Sequence, residues 1–461
     1  MTIPDRQRRR AVAGVYIGAA LIVLDASVLN VALPNIRASI HASFDSLLWI
    51  LNAYTLALAC LLILCGTLAD RIGRRNAFIW GVVLFALASS GCAFANETTW
   101  LIAARALQGL GAALVATSSL SIVSHIYTEP KERARAFGMW AGVTGIAFAG
   151  GPVVGGALIA LAGWHSIFFI NLPTCALSLL LSAPNIPKME RHPRSWNLKG
   201  QFAAMMALAA ATYSIIASSE TSWQQPNVIA GFLIALISAA LFIAHERQAV
   251  AQRRETVIPP ALLTQGLVRA GLFTAFSCNF CLYGLLLVFT LLFQNTRHYS
   301  ALATGLAFMP LTVVGAMMSG LVAGKVMAKY GAAAVVIAAT SWSALGAIPL
   351  MTYQASSPYF YAALGFVVFA LGNGLCVPAM TNMVLSHSDK QDHNAASSLI
   401  NTSRQAGGVL GTSILGAIAT SHPNQPQLGL ALGIVVVFLA IASVMTWRAA
   451  ISDDTVLRPS H

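Results

Sequence analysis

The chain has 461 residues, of which 57% are hydrophobic and 9% charged, with a formal net charge of +12. An average soluble domain carries about 25% charged residues, so this chain cannot cover a water-facing surface, and disorder is excluded by its low charge and high hydrophobicity. A mean hydropathy of +0.72 points to a polytopic membrane protein, and its basic balance needs a reason other than nucleic acid.

A bilayer core about 30 Å thick takes roughly 20 apolar residues per helix. Fourteen such runs follow one another, at 11–33, 46–66, 77–95, 100–124, 136–161, 165–183, 200–219, 227–244, 270–294, 302–324, 332–352, 357–385, 397–420 and 428–447. They are continuous rather than alternating in period two, which excludes the strands of an outer-membrane barrel. The first run follows Arg6, Arg8, Arg9 and Arg10 and carries Asp25 and Asn30, so it reads as an uncleaved first helix rather than a signal peptide. With the N-terminus placed inside, the inner loops receive 23 of the 27 Lys and Arg, and the outer loops only Arg37 and Arg297. That asymmetry is the positive-inside rule. It puts both termini in the cytoplasm and leaves Arg105 and Arg404 within or at the edge of helices.

In the first run stands Leu24-Asp25-Ala-Ser27-Val-Leu-Asn30-Val-Ala-Leu-Pro34. Asp25 is the only carboxylate well inside any apolar run. It either bonds to its helix neighbours as a structural group or alternates between a proton and a cation such as Arg105. Between the second and third runs lies Gly66-Thr-Leu-Ala-Asp70-Arg71-Ile-Gly73-Arg74-Arg75. Its glycines permit a tight inter-helix turn, and Asp70 offers a carboxylate to nearby arginines or to a helix N-terminus; the alternative is a solvated charge cluster that only sets topology. The fourth run holds Arg105, Gln108, Gly109 and Gly111. Arg105 either snorkels outward or faces the protein interior, and the small residues allow close packing. The fifth run holds Gly151-Pro152-Val-Val-Gly155-Gly156, a proline kink flanked by small residues. The seven cysteines, including Cys278-Asn-Phe-Cys281, all lie in apolar runs and read as packing residues.

A repeat relates the two ends of the chain. Gly66 to Gly73 has a faded echo in Gly320 to Gly331, Gln108-Gly109-Leu-Gly111 in Leu371-Gly372-Asn-Gly374, and Gly150 to Gly156 in Gly407 to Gly411. The offsets cluster about 260 residues apart, about 80 more than six helices occupy, and the excess equals the seventh and eighth runs. The expected plan is therefore a six-helix bundle at 1–199, two inserted helices at 200–266, and a second six-helix bundle with a short tail at 267–461.

These blocks, in this order, resemble the fourteen-helix drug:proton antiporters of the major facilitator superfamily over essentially the whole chain. The resemblance implies an all-α integral membrane fold, two six-helix bundles plus two inserted helices, with alternating access to a site near the midplane. It implies proton coupling by Asp25 and Arg105. It makes Gly66, Asp70, Arg71, Gly73, Arg74 and Arg75 a cytoplasmic gate latched to a helix start near Asn394–Ser398, and it makes Gly151, Pro152, Gly155 and Gly156 the antiporter motif of exporters. Ser397 to Gly408 is similar to the family's thirteenth-helix signature, and Arg404 within it either snorkels or lines the cavity. Asn30, Trp49, Tyr54, Gln108, Tyr283 and Arg404 are the candidate cavity residues, with simple packing as the alternative for the aromatic ones. Two positions depart from the family: Ala147 replaces a glycine, and His165-Ser166 replace Arg-Trp.

The expected activity is proton-coupled export of amphipathic drugs or antibiotics; a dedicated transporter of one metabolite on the same fold is the alternative. A membrane enzyme is disfavoured, because the ten His sit at span ends, in loops or in the tail without metal-ligand spacing. No Gly-x4-Gly-Lys-Ser/Thr loop marks a primary pump. The reading implies no cofactor and no metal, with the proton as coupling ion. It implies small amphipathic substrates, no nucleic acid, and a monomer embedded in the lipid of a bacterial inner membrane. The spans of the second bundle carry no carboxylate, which favours monovalent cationic or neutral amphiphiles over divalent cations.

Overall fold

The computed structural model describes residues 4–127, 129–187, 189, 198–220, 224–252, 256–258, 260–354, 356–388, 393–420 and 427–452. Of the charges assigned to the inner face, Lys188, Arg191, Arg194, Arg253, Arg254, Lys390 and Arg458 lie outside these residues. The elements are α1 (Asp5–Ile40), α2 (Phe44–Ile72), α3 (Arg74–Ala93), α4 (Thr98–Ile126), α5 (Pro130–Ala162), α6 (Ser166–Phe169), α7 (Asn171–Ser182), α8 (Leu198–Glu220), α9 (Pro226–Ala251), α10 (Pro260–Thr264), α11 (Gly266–Leu291), α12 (Ala301–Ala307), α13 (Met309–Met317), α14 (Ala323–Tyr330), α15 (Ala332–Leu350), α16 (Tyr359–Ser386), α17 (His393–Thr420) and α18 (Leu428–Ser452). Single π turns at Leu292–Thr296 and Met318–Val322 extend α11 and join α13 to α14.

Twelve of the described helical stretches are long and apolar enough to cross a membrane. The two remaining runs of the sequence behave differently. Run 165–183 divides into α6 and α7, because Pro173 has no N–H to offer the carbonyl of Phe169 four residues back, and the helix breaks at Ile170. Run 397–420 becomes α17, 28 residues long but interrupted by polar side chains. Run 302–324 is also divided: α13 carries Pro310 in its first turn and is separated from α12 by Phe308. Several helices overrun their apolar runs, as α1 does by starting at Asp5. Arginine is a good helix former, so a helix continues past the point where the apolar pattern stops.

The chain divides into two compact units. The first comprises Met1–Leu198 with Ser300–Leu306, and the second Lys199–Tyr299 with Ala307–His461. Within the first, α1 packs on α4, α5 and α7, α2 on α4, and α3 on α4 and α7. Its core includes Tyr16, Leu58, Phe78, Phe85, Leu114 and Val115. Within the second, α11 packs on α16, α17 and α18, α13 on α16, and α15 on α16 and α18. Each of these six pairings of the first unit recurs in the second, in the same order along the chain. Helices α8 and α9 meet where Gly231 lies beside Tyr213 and Ser214, and α9 exposes Leu233, Leu236, Ile237 and Leu241, as a lipid-facing helix would.

Close helix approach rests on particular glycines. On α4, Gly109 faces α2, where an added Cβ would sit 2.7 Å from Ala57 Cβ, and Gly111 faces α3, where it would sit 2.8 Å from the Phe85 backbone nitrogen. Two glycines two residues apart thus open two sides of one helix, letting it serve as the centre of the unit. Two further glycines make turns: Gly73 (φ +90°) is the only residue between α2 and α3, and Gly331 (φ +79°) the only one between α14 and α15. Overpacking a core costs about 1–3 kcal/mol. Because the neighbours at Gly111 are backbone atoms that cannot turn aside, Gly111→Val is expected at the upper end, lowering the melting temperature of the purified protein. Gly142→Ala, where nothing lies within 4 Å, is expected to be neutral or slightly stabilising.

Candidate functional site

Six elements of the first unit meet at one buried point, four of them (α1, α3, α4 and α7) through polar side chains. Asp25 on α1 and Arg105 on α4 are 4% and 1% exposed and form an ion pair through Asp25 Oδ2 and Arg105 Nη1. Arg105 Nη1 also donates to Gln108 Oε1 at 2.8 Å, and its Nε donates to the carbonyl of Ile50 on α2 at 3.4 Å. The other carboxylate oxygen, Asp25 Oδ1, accepts from Asn171 Nδ2 on α7 at 2.7 Å and from Gln108 Nε2 at 3.3 Å. Both amides also donate to Ser89 Oγ on α3, at 2.7 Å from Gln108 and 3.2 Å from Asn171. Cys92 Sγ, one helical turn further on, donates to Gln108 Oε1 at 3.2 Å.

The guanidinium is also covered by aromatic faces. Arg105 Cζ lies 4.5 Å from the ring centroid of Tyr54 and 5.8 Å from that of Phe168 on α6, within cation–π range. Tyr54 is held in turn by its hydroxyl, which donates to the Ile22 carbonyl at 2.8 Å, and by Gly109, which lets α4 reach the α2 backbone beside it. Unpaired, a charge in this setting would carry a heavy desolvation penalty. Paired and bonded on both sides, it is held in one geometry.

The structure therefore joins Asp25, Arg105, Gln108 and Tyr54 from the expected set. It adds Ser89, Cys92, Phe168 and Asn171, which the sequence did not single out. Asn171 had one available signal: it opens α7 just before the proline that breaks the preceding helix, where a polar side chain is turned inward. Asn30 stays apart, its Nδ2 donating to Ala26 and Ser27 of its own helix while its buried Oδ1 has no partner. Trp49 is half-buried on α2. In the second unit Arg404 Nε donates to Asn279 Oδ1 at 3.4 Å, and the Tyr283 ring lies against Gly408, 3.4 Å from where a Cβ would stand.

At the turn between α2 and α3, Asp70 pairs with Arg74 at 2.5 Å. Arg74 Nη1 donates to the Thr117 carbonyl on α4, and Arg75 Nη2 to the Ala183 carbonyl after α7, both at 2.7 Å. The turn is made by Gly73, whereas Gly66 lies inside α2 with only Thr117 nearby, at 3.9 Å. Arg71 is exposed. The helix start expected to face this latch, Asn394–Ser398, falls in the first turns of α17, and the side chain of Asn394 lies outside the described residues.

On α5, Gly151 meets Ser27 of α1, and Gly155 lies so close to α1 that a Cβ would sit 2.8 Å from Val28 Cγ1. Gly156 admits the backbone of Ala301 and Leu302, and Gly305 sits against the Pro152 carbonyl. The small-residue block thus has two working sides within this unit. At the end of α5, Ser166 Oγ donates to the Leu158 carbonyl at 2.9 Å, and His165 stacks on Trp164 with ring centroids 3.7 Å apart. Burial lowers the proton affinity of His165 below the ordinary imidazole value, although a bond to the Ala95 backbone opposes it.

Many membrane-crossing helices, two units built on one pairing scheme and a buried ion pair with its own polar shell define a secondary transporter. The Major Facilitator Superfamily profile matches residues 15–412, and the chain belongs to that family: it is a multi-pass membrane transporter, not an enzyme. It is 31% identical to the Methylenomycin A resistance protein of Streptomyces coelicolor over 97% of this chain and 94% of that one. It is 32% identical to the Multidrug resistance protein Stp of Mycobacterium tuberculosis over 87% of this chain and 74% of that one. The crystal structure of the POT family transporter PepTSo superposes with a TM-score of 0.71 at 13% identity, covering 97% of this chain and 98% of that one.

Hydrogen bonds between transmembrane helices average about 0.6 kcal/mol, whereas bonds to a charged group contribute about 1.5–3 kcal/mol. Asn171 donates to a buried carboxylate, so Asn171→Leu is expected to destabilise the protein by the larger amount. Thermal and denaturant unfolding of the purified protein measure it, and Ser178→Ala, which removes an ordinary neutral bond to the Gly14 carbonyl, provides the scale.

Proposed function

We propose that the chain is a proton-coupled antiporter that exports amphipathic drugs or antibiotics by alternating access across a bacterial inner membrane. The observation that carries this reading is the Asp25–Arg105 pair, the one ion pair among the described residues that is buried on both sides. The similarity to resistance proteins supports export as the direction. In this reading the chain crosses the membrane fourteen times, with the divided α6–α7 segment and α17 as the two additional crossings and both termini in the cytoplasm. Residues 1–199 and 267–461 form the two bundles, and 200–266 the inserted pair.

The proton acts at Asp25. As a carboxylate it accepts bonds from Arg105, Gln108 and Asn171; once protonated it no longer balances the guanidinium and must itself donate. Asn171 Oδ1 is buried without a partner, so rotation of that amide presents an acceptor to the new hydroxyl. Arg105 then falls back on Gln108 Oε1, the Ile50 carbonyl and the two ring faces. Each proton supplies about 2.3 kcal/mol per 100 mV and about 1.4 kcal/mol per pH unit, enough for gradients of tens- to hundreds-fold. The charges around Gly73 form the cytoplasmic gate, and Gly151, Pro152, Gly155 and Gly156 set how closely α5 can approach its neighbours.

The experiment is ethidium uptake into energised, inverted vesicles of a pump-deficient host, where inward accumulation corresponds to export from the cell, with proton movement followed in parallel. Asp25→Asn is expected to reduce proton-coupled export to the level of vesicles without the protein, with Asp25→Glu retaining a fraction; export by Asp25→Asn at the wild-type rate refutes the proton role. Asp70→Asn is expected to slow export several-fold while the protein remains folded in the membrane, and an unimpaired rate would remove Asp70 from the gate.

A further inference from the structure

The ion pairs of Arg8 with Asp5 and Glu132, of Arg74 with Asp70 and of Arg105 with Asp25 lie in the first unit. Arg404 is different. It stands eleven residues after the start of α17, about 16 Å along the helix at 1.5 Å per residue. Its partner Asn279 lies thirteen residues into α11, about 20 Å along. Arg404 is half-buried and Asn279 is 3% exposed.

The second unit also has a reason for the missing carboxylate. Asn279 follows Asp25 at the same offset, 254 residues, by which Gly320 follows Gly66, and α11 takes the place of α1 in the pairing scheme. Where the first unit has a carboxylate, the second has the neutral amide of the same shape. The amide oxygen satisfies Arg404 Nε and leaves the positive charge uncompensated. The two Nη groups make no hydrogen bond among the described residues and are not sealed from accessible space. The setting is rigid: Gly407 and Gly411 bring α17 onto the backbone of α11 at Phe276 and Phe280.

A guanidinium held by Nε presents its two Nη groups as a fork, a geometry matched to the two oxygens of a carboxylate. We propose that Arg404, oriented by Asn279, is a binding site for the carboxylate of an anionic amphiphile, which widens the expected substrates beyond cationic and neutral ones. The proposal rests on reading the chain as an exporter of amphipathic small molecules, and its binding test does not require transport. It also has an electrical consequence. Export of a monovalent anion against one proton moves two charges per cycle, whereas exchange with a monovalent cation moves none.

The test uses the purified full-length protein in detergent at pH 7.5 and three probes of one size: 1-naphthaleneacetate, its methyl ester and 1-naphthylmethylammonium, each titrated by calorimetry. The wild type is expected to bind the carboxylate at least ten-fold more tightly than the ester. Arg404→Gln is expected to bring the two within two-fold, and Arg404→Lys to keep part of the preference. Asn279→Asp supplies an internal carboxylate and is expected to abolish the preference while the protein stays folded, which covers the case in which Arg404→Gln does not fold. A wild type that binds the carboxylate no better than the ester, or not at all, overturns the proposal, as does a preference that survives in Asn279→Asp. Arg404-dependent preference without proton-coupled export keeps this site and removes the antiporter reading. Export that depends on Asp25 without carboxylate preference removes this site alone.

Discussion

The first unit depends on a buried salt bridge that cannot be half-removed. Breaking a buried pair by neutralising one partner costs about 3–5 kcal/mol, because the other charge is left without compensation. Any event that neutralises Asp25 is therefore felt by every helix whose atoms touch the guanidinium: α1, α2, α4 and α6. The polar shell of Ser89, Gln108 and Asn171 extends the same dependence to α3 and α7. A single proton is then an event for six of the helices of the unit, and α5, outside the network, meets α1 through glycines.

Much of this centre was legible from a simple rule: a charge inside an apolar run needs a partner and a purpose. The rule isolates Asp25, Arg105 and Arg404, and the first two meet. It is silent on Ser89, Asn171 and Cys92, because neutral polar residues are common in membrane helices and most bond to their own backbone, as Thr117 and Ser90 do here. Only the fold reveals which polar residues share a point. Helix breaks were similarly hidden. Proline positions are visible in the sequence, yet Pro34, Pro152, Pro349 and Pro378 lie inside continuous helices, while Pro173 and Pro310 stand beside breaks. The helix ends also went unseen, since hydropathy marks where lipid is and not where hydrogen bonding stops.

The two units keep a common pairing scheme while their chemistry has diverged. The first holds a compensated pair under aromatic rings. The second places an amide where the carboxylate would be, and its interior packing is of sulfur and aromatic rings: Cys278 and Cys376 approach at 3.2 Å, and Phe276 stacks on Phe280 and Phe280 on Phe438. Backbone architecture thus persists through backbone-level constraints, chiefly glycines at helix crossings, which side-chain replacement elsewhere leaves untouched.

One of those glycines has a mechanical meaning. Gly73 ends α2 and begins α3, so the connection has no length to take up a separation of the two helix ends. A tether of several residues would let one helix shift while its neighbour stayed still; a joint of one residue transmits the displacement. Asp70 sits one turn before that joint and Arg74 directly after it, so the charges ride on the two arms of a stiff linkage. Force applied at this corner is delivered along the full length of both helices.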